Sequence, residues 1–238
     1  MRFFYDNMID GVNVVLTASS EDAEYPVENI QNQFIGKPWK SEDSNAHEYI
    51  IGDFGEAKEV QAGILFAHDL KAGDTVKFQL NDSTDFSSPA VDETMTHDED
   101  AMVVVLDTPE TYRYWRIDII KDNAAETREI GRVFIGPLME ARDPDYDGYK
   151  VEDHDLSRVS ESVSKQRYST VNGTYRTFML KVSGVGTTEK DYYQALAREV
   201  GVHTAFFCQV TDDGEFTEYL YVYFNKLSGY NVEGKDSE

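Results

Sequence analysis

Over the first 136 residues the apolar side chains fall in runs too short and too tightly punctuated for helices. Val12 to Ala18, Glu48 to Phe54, Val60 to Ala67, Thr75 to Leu80, Met102 to Leu106, Tyr112 to Ile120 and Arg128 to Ile135 are β-branched or aromatic in character. Gly, Asp, Asn or Pro clusters bound them, and these residues favour turns over ladders. In Tyr112 to Ile120 the pattern alternates: Trp115, Ile117 and Ile119 share one face, while Tyr114, Arg116 and Asp118 share the other. Successive side chains of a strand point to opposite faces, so one face belongs to a core and the other to water. Strands at this spacing, with almost no helical periodicity among them, predict a mainly β fold built as a sandwich or barrel.

Beyond Gly136-Pro137 the pattern changes. The polar, turn-forming stretch Arg142-Asp143-Pro144-Asp145-Tyr146-Asp147-Gly148 marks a boundary. The expected organisation is a sandwich over 1–138, a linker over 139–154 and a small α+β domain over 155–238. That domain is expected to hold two hairpins and one helix. Asn172-Gly173 lies between Arg167 to Val171 and Thr174 to Val182, and Asp213-Gly214 between Thr204 to Val210 and Phe216 to Phe224; both dipeptides suit a type I′ turn. The helix spans Thr188 to Val200, with Thr188 and Asp191 resembling a capping box, Tyr192, Leu196 and Val200 as its apolar stripe, and Gly201 as its stop. Tyr219, Tyr221 and Tyr223 alternate with Leu220, Val222 and Phe224, so this strand is expected to be covered on both sides, by a second layer of the chain or by another subunit.

The 238 residues carry 22 Lys and Arg against 45 Asp and Glu, a formal charge of −23. Phosphate backbones and anionic membranes are bound through clustered cations, so nucleic acid and membrane insertion are excluded as expectations. Cys208 is the single cysteine, which forbids an intramolecular disulfide and fits a reducing compartment. It sits in the apolar run Ala205-Phe206-Phe207-Cys208, where a buried, inert thiol is expected. The N-terminal residues Met1 to Asn7 hold no apolar stretch of signal-peptide length, so synthesis in the cytoplasm without a signal peptide is expected.

Candidate chemistry is sparse. Asp143-Pro144-Asp145-Tyr146-Asp147-Gly148 matches the first half of a calcium loop, but the twelfth position is His154 instead of a bidentate Glu, and flanking helices are absent. A solvated acidic linker is the reading adopted. The cluster Asp92 to Asp100, with His97 inside it, has no ligand spacing and reads as a charged loop. His47, His68, His97, His154 and His203 fall in no hydrolase or metallohydrolase motif. A glycosidase carboxylate pair need not be close in sequence, and nothing here selects one. No catalytic, cofactor-binding or metal residue is assigned, and an enzyme is not expected. Trp39 and Trp115 are candidates for stacking on a sugar, with Trp115 read as core.

Several segments of the first half occur in a telling order: Ala18-Ser19-Ser20, Tyr25-Pro26-Val27-Glu28-Asn29-Ile30, Pro38-Trp39-Lys40-Ser41, Ile50 to Gly55, Tyr112 to Ile117 and Glu129 to Gly136. Together they resemble the discoidin or coagulation-factor type C family, over about residues 10 to 136. The resemblance implies an eight-stranded, galactose-binding-like jelly-roll sandwich that presents loops at one end to carbohydrate, lipid or protein. The family's terminal cysteines are missing, and the loop residues match no particular sugar-binding pattern. In the second half, Asp155-Leu156-Ser157, Gln166 to Ser169, Gly173 to Thr177 and the helix at Thr188 to Val200 resemble segments of tail-tip and minor tail proteins of long-tailed bacteriophages. That likeness implies a structural component of the virion tail, with other tail proteins, copies of itself and host-surface carbohydrate as partners. A free carbohydrate-binding module or adhesin, and a glycosidase, are the alternatives.

Overall fold

The burial of alternate residues sets the architecture. The computed structural model describes residues 1–42, 45–145, 149–210 and 218–225. Trp115, Ile117 and Ile119 are fully buried, as their alternation requires. They lie on β7 (Ala101–Ile120), one of two long strands; the other is β4 (His47–His68). The pair runs antiparallel from His47 opposite Ile120 to Phe66 opposite Ala101, with register shifts between Asp53 and Lys58 and between Val60 and Ala62. Such bulges bend a strand, and here they fold one continuous hydrogen-bonded sheet over into two faces. The runs expected as separate strands at 48–54 and 60–67 are therefore two arms of one bent strand.

One face joins β2 (Val15–Ala18) to the first half of β4, then the second half of β7, β5 (Thr75–Asn81) and β6 (Val91–Thr94). The other joins β3 (Trp39–Lys40) to β8 (Glu129–Gly136), the second half of β4 and the start of β7. Ile50, Phe78, Leu80 and Trp115 from the first face meet Val60, Leu65, Met102 and Val133 from the second in a single apolar core. Space there is tight. Gly52 lies opposite Trp115, and a Cβ on it would stand 2.1 Å from the indole.

A further sheet covers the back of the second face. β1 (Arg2–Phe4) lies between β9 (Met139–Glu140) and β14 (Phe206–Gln209), and β15 (Tyr219–Val222) pairs with β14 at the edge. Its two sides are both apolar because both are covered. Phe4, Phe207, Tyr219 and Tyr221 pack onto Ala62, Ile64 and Phe134 of the sandwich. Phe3, Phe206, Cys208, Leu220 and Val222 pack on the opposite side, under α1 (Thr187–Val200). The tyrosine strand is thus covered on both sides by the chain itself as far as Val222, while Tyr223 beyond it is exposed.

Several local expectations are corrected. Met139–Glu140 and Tyr149–Asp155 are strands inside the stretch expected as a linker. Asn172-Gly173 does not close a hairpin between its neighbours. Instead β10 (Tyr149–Asp155) pairs with β13 (Thr174–Leu180), and β11 (Arg158–Glu161) with β12 (Arg167–Thr170), so 149–180 form one long ribbon that turns at Ser162 to Gln166. The Asn172 side chain donates to Leu156 O at 3.0 Å across a break in the ladder, work that a local I′ turn would not leave it free to do. Asp213-Gly214 lies outside the described residues, though its flanking strands β14 and β15 do pair. The helix begins one residue early, where Glu189 accepts the Gly186 N–H at 2.9 Å in place of the Thr188 and Asp191 cap. Its stripe is Tyr193, Leu196 and Val200, with Tyr192 exposed, and Gly201 stops it at φ 58°.

Candidate functional site

The same alternation that sends Trp115 and Ile117 inward turns another set of side chains out. His47, Tyr49, Ile51 and Asp53 project from β4, Tyr114, Arg116 and Asp118 from β7, and Lys77 and Gln79 from β5. They are tied into a polar chain. His47 Nε2 lies 2.8 Å from Asp118 Oδ1, and Asp118 lies 3.4 Å from Arg116 Nε. Arg116 Nε donates to Gln79 Oε1 at 2.6 Å; Gln79 Nε2 and Lys77 Nζ both donate to Asp92, at 2.7 and 2.8 Å. The loop after β5 folds back over part of this row and sets the Phe86 ring 4.9 Å from the Arg116 guanidinium, which explains why Gln79 is buried.

The β2 and β4 side of the row stays open. His47 is exposed, with the Tyr49 ring 6.0 Å away. Near the bend, Arg113 forks onto Asp53 at 2.7 and 2.8 Å and lies 5.0 Å over the Tyr114 ring. Those bonds hold the Asp53 carboxyl below the usual range and the Arg113 guanidinium above its own. The result is a strip of planar polar groups interleaved with aromatic rings, positioned by rigid strands. Arg116, Asp118 and Tyr114 were legible as a wet face; Tyr49, Asp53 and Arg113 were not singled out, although alternation with buried Ile50 marks Tyr49 and Asp53 as outward, whereas Arg113 shares the parity of buried Trp115 and reaches Asp53 only beside the register shift at the bend.

At the end where β4 starts and finishes, three loops are fastened by buried charge. Arg128 is fully buried and donates to Asp74 at 2.6 and 3.0 Å, to Asp122 at 3.0 Å and to Glu126 at 3.1 Å. Lys121 and Glu48 face each other at 3.8 Å, both fully buried. Glu48 also accepts from Ser19 and from Ser20, the latter at 2.7 Å, and Trp39 Nε1 donates to Ser20 O at 3.2 Å. Ser19, Ser20 and Trp39, all part of the discoidin-like segments, therefore build the frame. Trp39 is fully buried, which removes it as a sugar platform.

The remaining candidates are dispersed. Asp143 pairs with the N-terminal amine and Asp145 with Ser183, so the two point to different partners; 146–148 lie outside the described residues. In the 92–100 cluster, Asp98 accepts the Asp100 and Ala101 N–H groups and His97 Nε2 meets Leu70 O at 3.0 Å. His68 stands 6.4 Å from His97, and burial with that neighbour pushes its imidazole pKa down. His154 stacks on Tyr175 at 4.7 Å, and the His203 ring lies against Gly201. Burial raises the carboxyls of Asp10 and Asp69, yet Arg132 binds the first and the Glu129 N–H the second, so neither is free to work as an acid.

Cys208 is buried and its thiol is pushed up to about 12 by burial. A thiol reagent at neutral pH is expected to leave it unmodified in the native protein and to titrate it fully after unfolding. Rapid native-state reaction would contradict the packing of β14 under α1.

No protein-family model matches the chain, and no curated protein matches it in sequence. Solved structures similar to it include the family 32 carbohydrate-binding module of Clostridium perfringens NanJ in complex with galactose, 12% identical with a TM-score of 0.45, covering 58% of this chain and all of that one. Chitosan-binding module 1 of the chitosanase/glucanase from Paenibacillus sp. IK-5 is 16% identical with a TM-score of 0.45, over 56% of this chain and 100% of its own. A Streptococcus pneumoniae fucose binding module, SpX-3, is 12% identical with a TM-score of 0.45, over 56% and 98%. These neighbours are carbohydrate-binding modules of the discoidin, galactose-binding-like fold.

Proposed function

We propose that the protein is a non-catalytic recognition protein whose sandwich binds carbohydrate on the open face of β2, β4 and β7. The observation that carries this reading is the strip from His47 and Tyr49 to Asp53, Arg113 and Tyr114, where planar polar groups alternate with aromatic rings. Sugars need that pairing: hydroxyls accept hydrogen bonds from guanidinium, donate them to carboxylate and do either with imidazole, and the C–H face of the ring rests on an aromatic surface. Six residue steps along β4 take His47 to Asp53, about 20 Å at about 3.3 Å per step, enough for a short oligosaccharide.

The test is calorimetric titration with galactose, fucose and chitosan oligosaccharides, preceded by a glycan array. Saturable binding is expected, weakened about tenfold or more by Tyr49→Ala or Arg113→Ala, which is about 1.4 kcal/mol. A blank array, or a hit that ignores both substitutions, overturns the reading. The exposed ribbon at 149–180 favours a second reading, in which this binding face is carried by an assembly such as a bacteriophage tail. Immunolabelling of particles tests that reading, and absence of the protein from the tail refutes it.

A further inference from the structure

The ribbon formed by β10 to β13 has a surface unlike the rest of the chain. It pairs with no third strand among the described residues, and every side chain of β11 and β12 is exposed. Seven of the fifteen large apolar side chains exposed among the described residues lie on it, including Leu156, Val159, Val163, Tyr168 and Val171. A two-stranded ribbon is marginal in water by itself, and its open edges and apolar side chains invite a partner. Its charge says which partner. Between 149 and 180 stand five cations, Lys150, Arg158, Lys165, Arg167 and Arg176, against four carboxylates, so the formal charge of −23 rests entirely on the remaining residues. Toward the tip, Arg158, Lys165 and Arg167 face Glu161 alone.

We propose that the ribbon is an exchange arm, by which two copies of this chain clasp each other as a two-fold dimer. Each arm lays its apolar and basic surface on the acidic body of the other copy. An apolar notch of about 480 Å³ between Phe34, Ile35, Tyr221 and Tyr223, lined also by Lys37, offers the arm's apolar side chains a matching surface on the body, with Phe34 74% exposed. Size supports reciprocity. From 149 to 161 the ribbon extends about 40 Å, and one side of it, about 10 Å wide, presents about 400 Å². One such contact falls short of a stable interface, whereas two exchanged arms bury about 800 Å² on each partner, the standard size. The exchange is isologous and closes, which keeps the apolar side chains from building open fibres.

The experiment is sedimentation velocity on the full chain from about 1 to about 100 µM, at low and high salt. A dimer is expected, weakening as salt screens the basic tip against the acidic body. Asp155 and Thr174 are directly paired, so replacing 156–173 by Asn-Gly closes a shorter hairpin in register. That variant is expected to stay monomeric throughout, with the thermal transition that the parent shows at concentrations where the parent is itself monomeric. Val159→Ser with Tyr168→Ser, and Phe34→Ser on the body, alter only exposed positions and are each expected to raise the dissociation constant about tenfold or more. A monomeric wild-type chain at the highest concentration, or variants that dimerise as tightly as the parent, overturns the proposal. Glycan binding is measured on the same variants and is expected to persist, which separates the fate of the arm from that of the sandwich face.

Discussion

Arg128→Met is expected to cost about 3–5 kcal/mol of stability at neutral pH, the range for breaking a buried ion pair from one side. The guanidinium has no exposed surface, and neither does the Asp74 carboxylate that it grips at 2.6 Å. Methionine fills the volume but leaves Asp74 charged and dry. Burial pushes that carboxyl up, while the bonds from Arg128 and from the Lys71 and Asp122 N–H groups outweigh it and hold it well below the usual carboxylate range. The sign follows. A carboxyl with a depressed folded pKa adds stability that is fully present above its unfolded value of about 3.9 and is lost as pH falls through the folded value. In the variant the Lys71 and Asp122 N–H bonds remain but those from Arg128 are gone, so the depression shrinks and with it the share of stability that acid removes through this carboxyl. Urea titrations near pH 7 and below about pH 4 check this: the deficit should shrink on acidification, and adding Asp74→Asn should recover much of it at neutral pH. A loss below about 1 kcal/mol at neutral pH would show that the three loops hold without Arg128.

Phe4→Ala is expected to cost about 3–5 kcal/mol, the penalty for emptying a buried aromatic site. The ring is fully buried at 5.8 Å from Phe134 and 5.9 Å from Tyr219, at the seam between the sandwich and the sheet behind it. The damage should be directional. Amide exchange is expected to rise sharply in β14 and β15 while β5 and the sandwich core stay protected, because the lost contacts belong to one layer. Uniform loosening of both layers would argue that they unfold as one unit and that the seam has no separate cost.

The sandwich was readable because its rules are local. Strand periodicity, turn residues and the inward set Trp115, Ile117 and Ile119 all act within a few positions, and the structure places them as expected. What escaped depends on contacts between distant residues. Arg2–Phe4 is too short to show a period, and it becomes a strand only because β14 and β9 supply both edges. The Asn172-Gly173 dipeptide has the chemistry of a tight turn, yet pairing across 149–180 outcompetes it. Trp39 is an aromatic residue in a motif-like segment, and only the packed structure shows it facing inward with its N–H spent on Ser20. The open strip was half legible: alternation marks which residues face out, but not that the loop carrying Phe86 shields Gln79 while His47 and Tyr49 stay open.

The placement of β1 also governs the order in which this chain can mature. Arg2 pairs with Gln209, a separation of 207 residues, so this strand waits long after its own synthesis to find its partner. Closing so large a loop is slow. Until Phe207 and Tyr221 emerge, Phe66 on the apolar back of the sandwich lacks the two rings that cover it. Nascent copies at high local density would carry the same bare surface side by side, a window in which a chaperone, or the next chain on the same message, has first access to it.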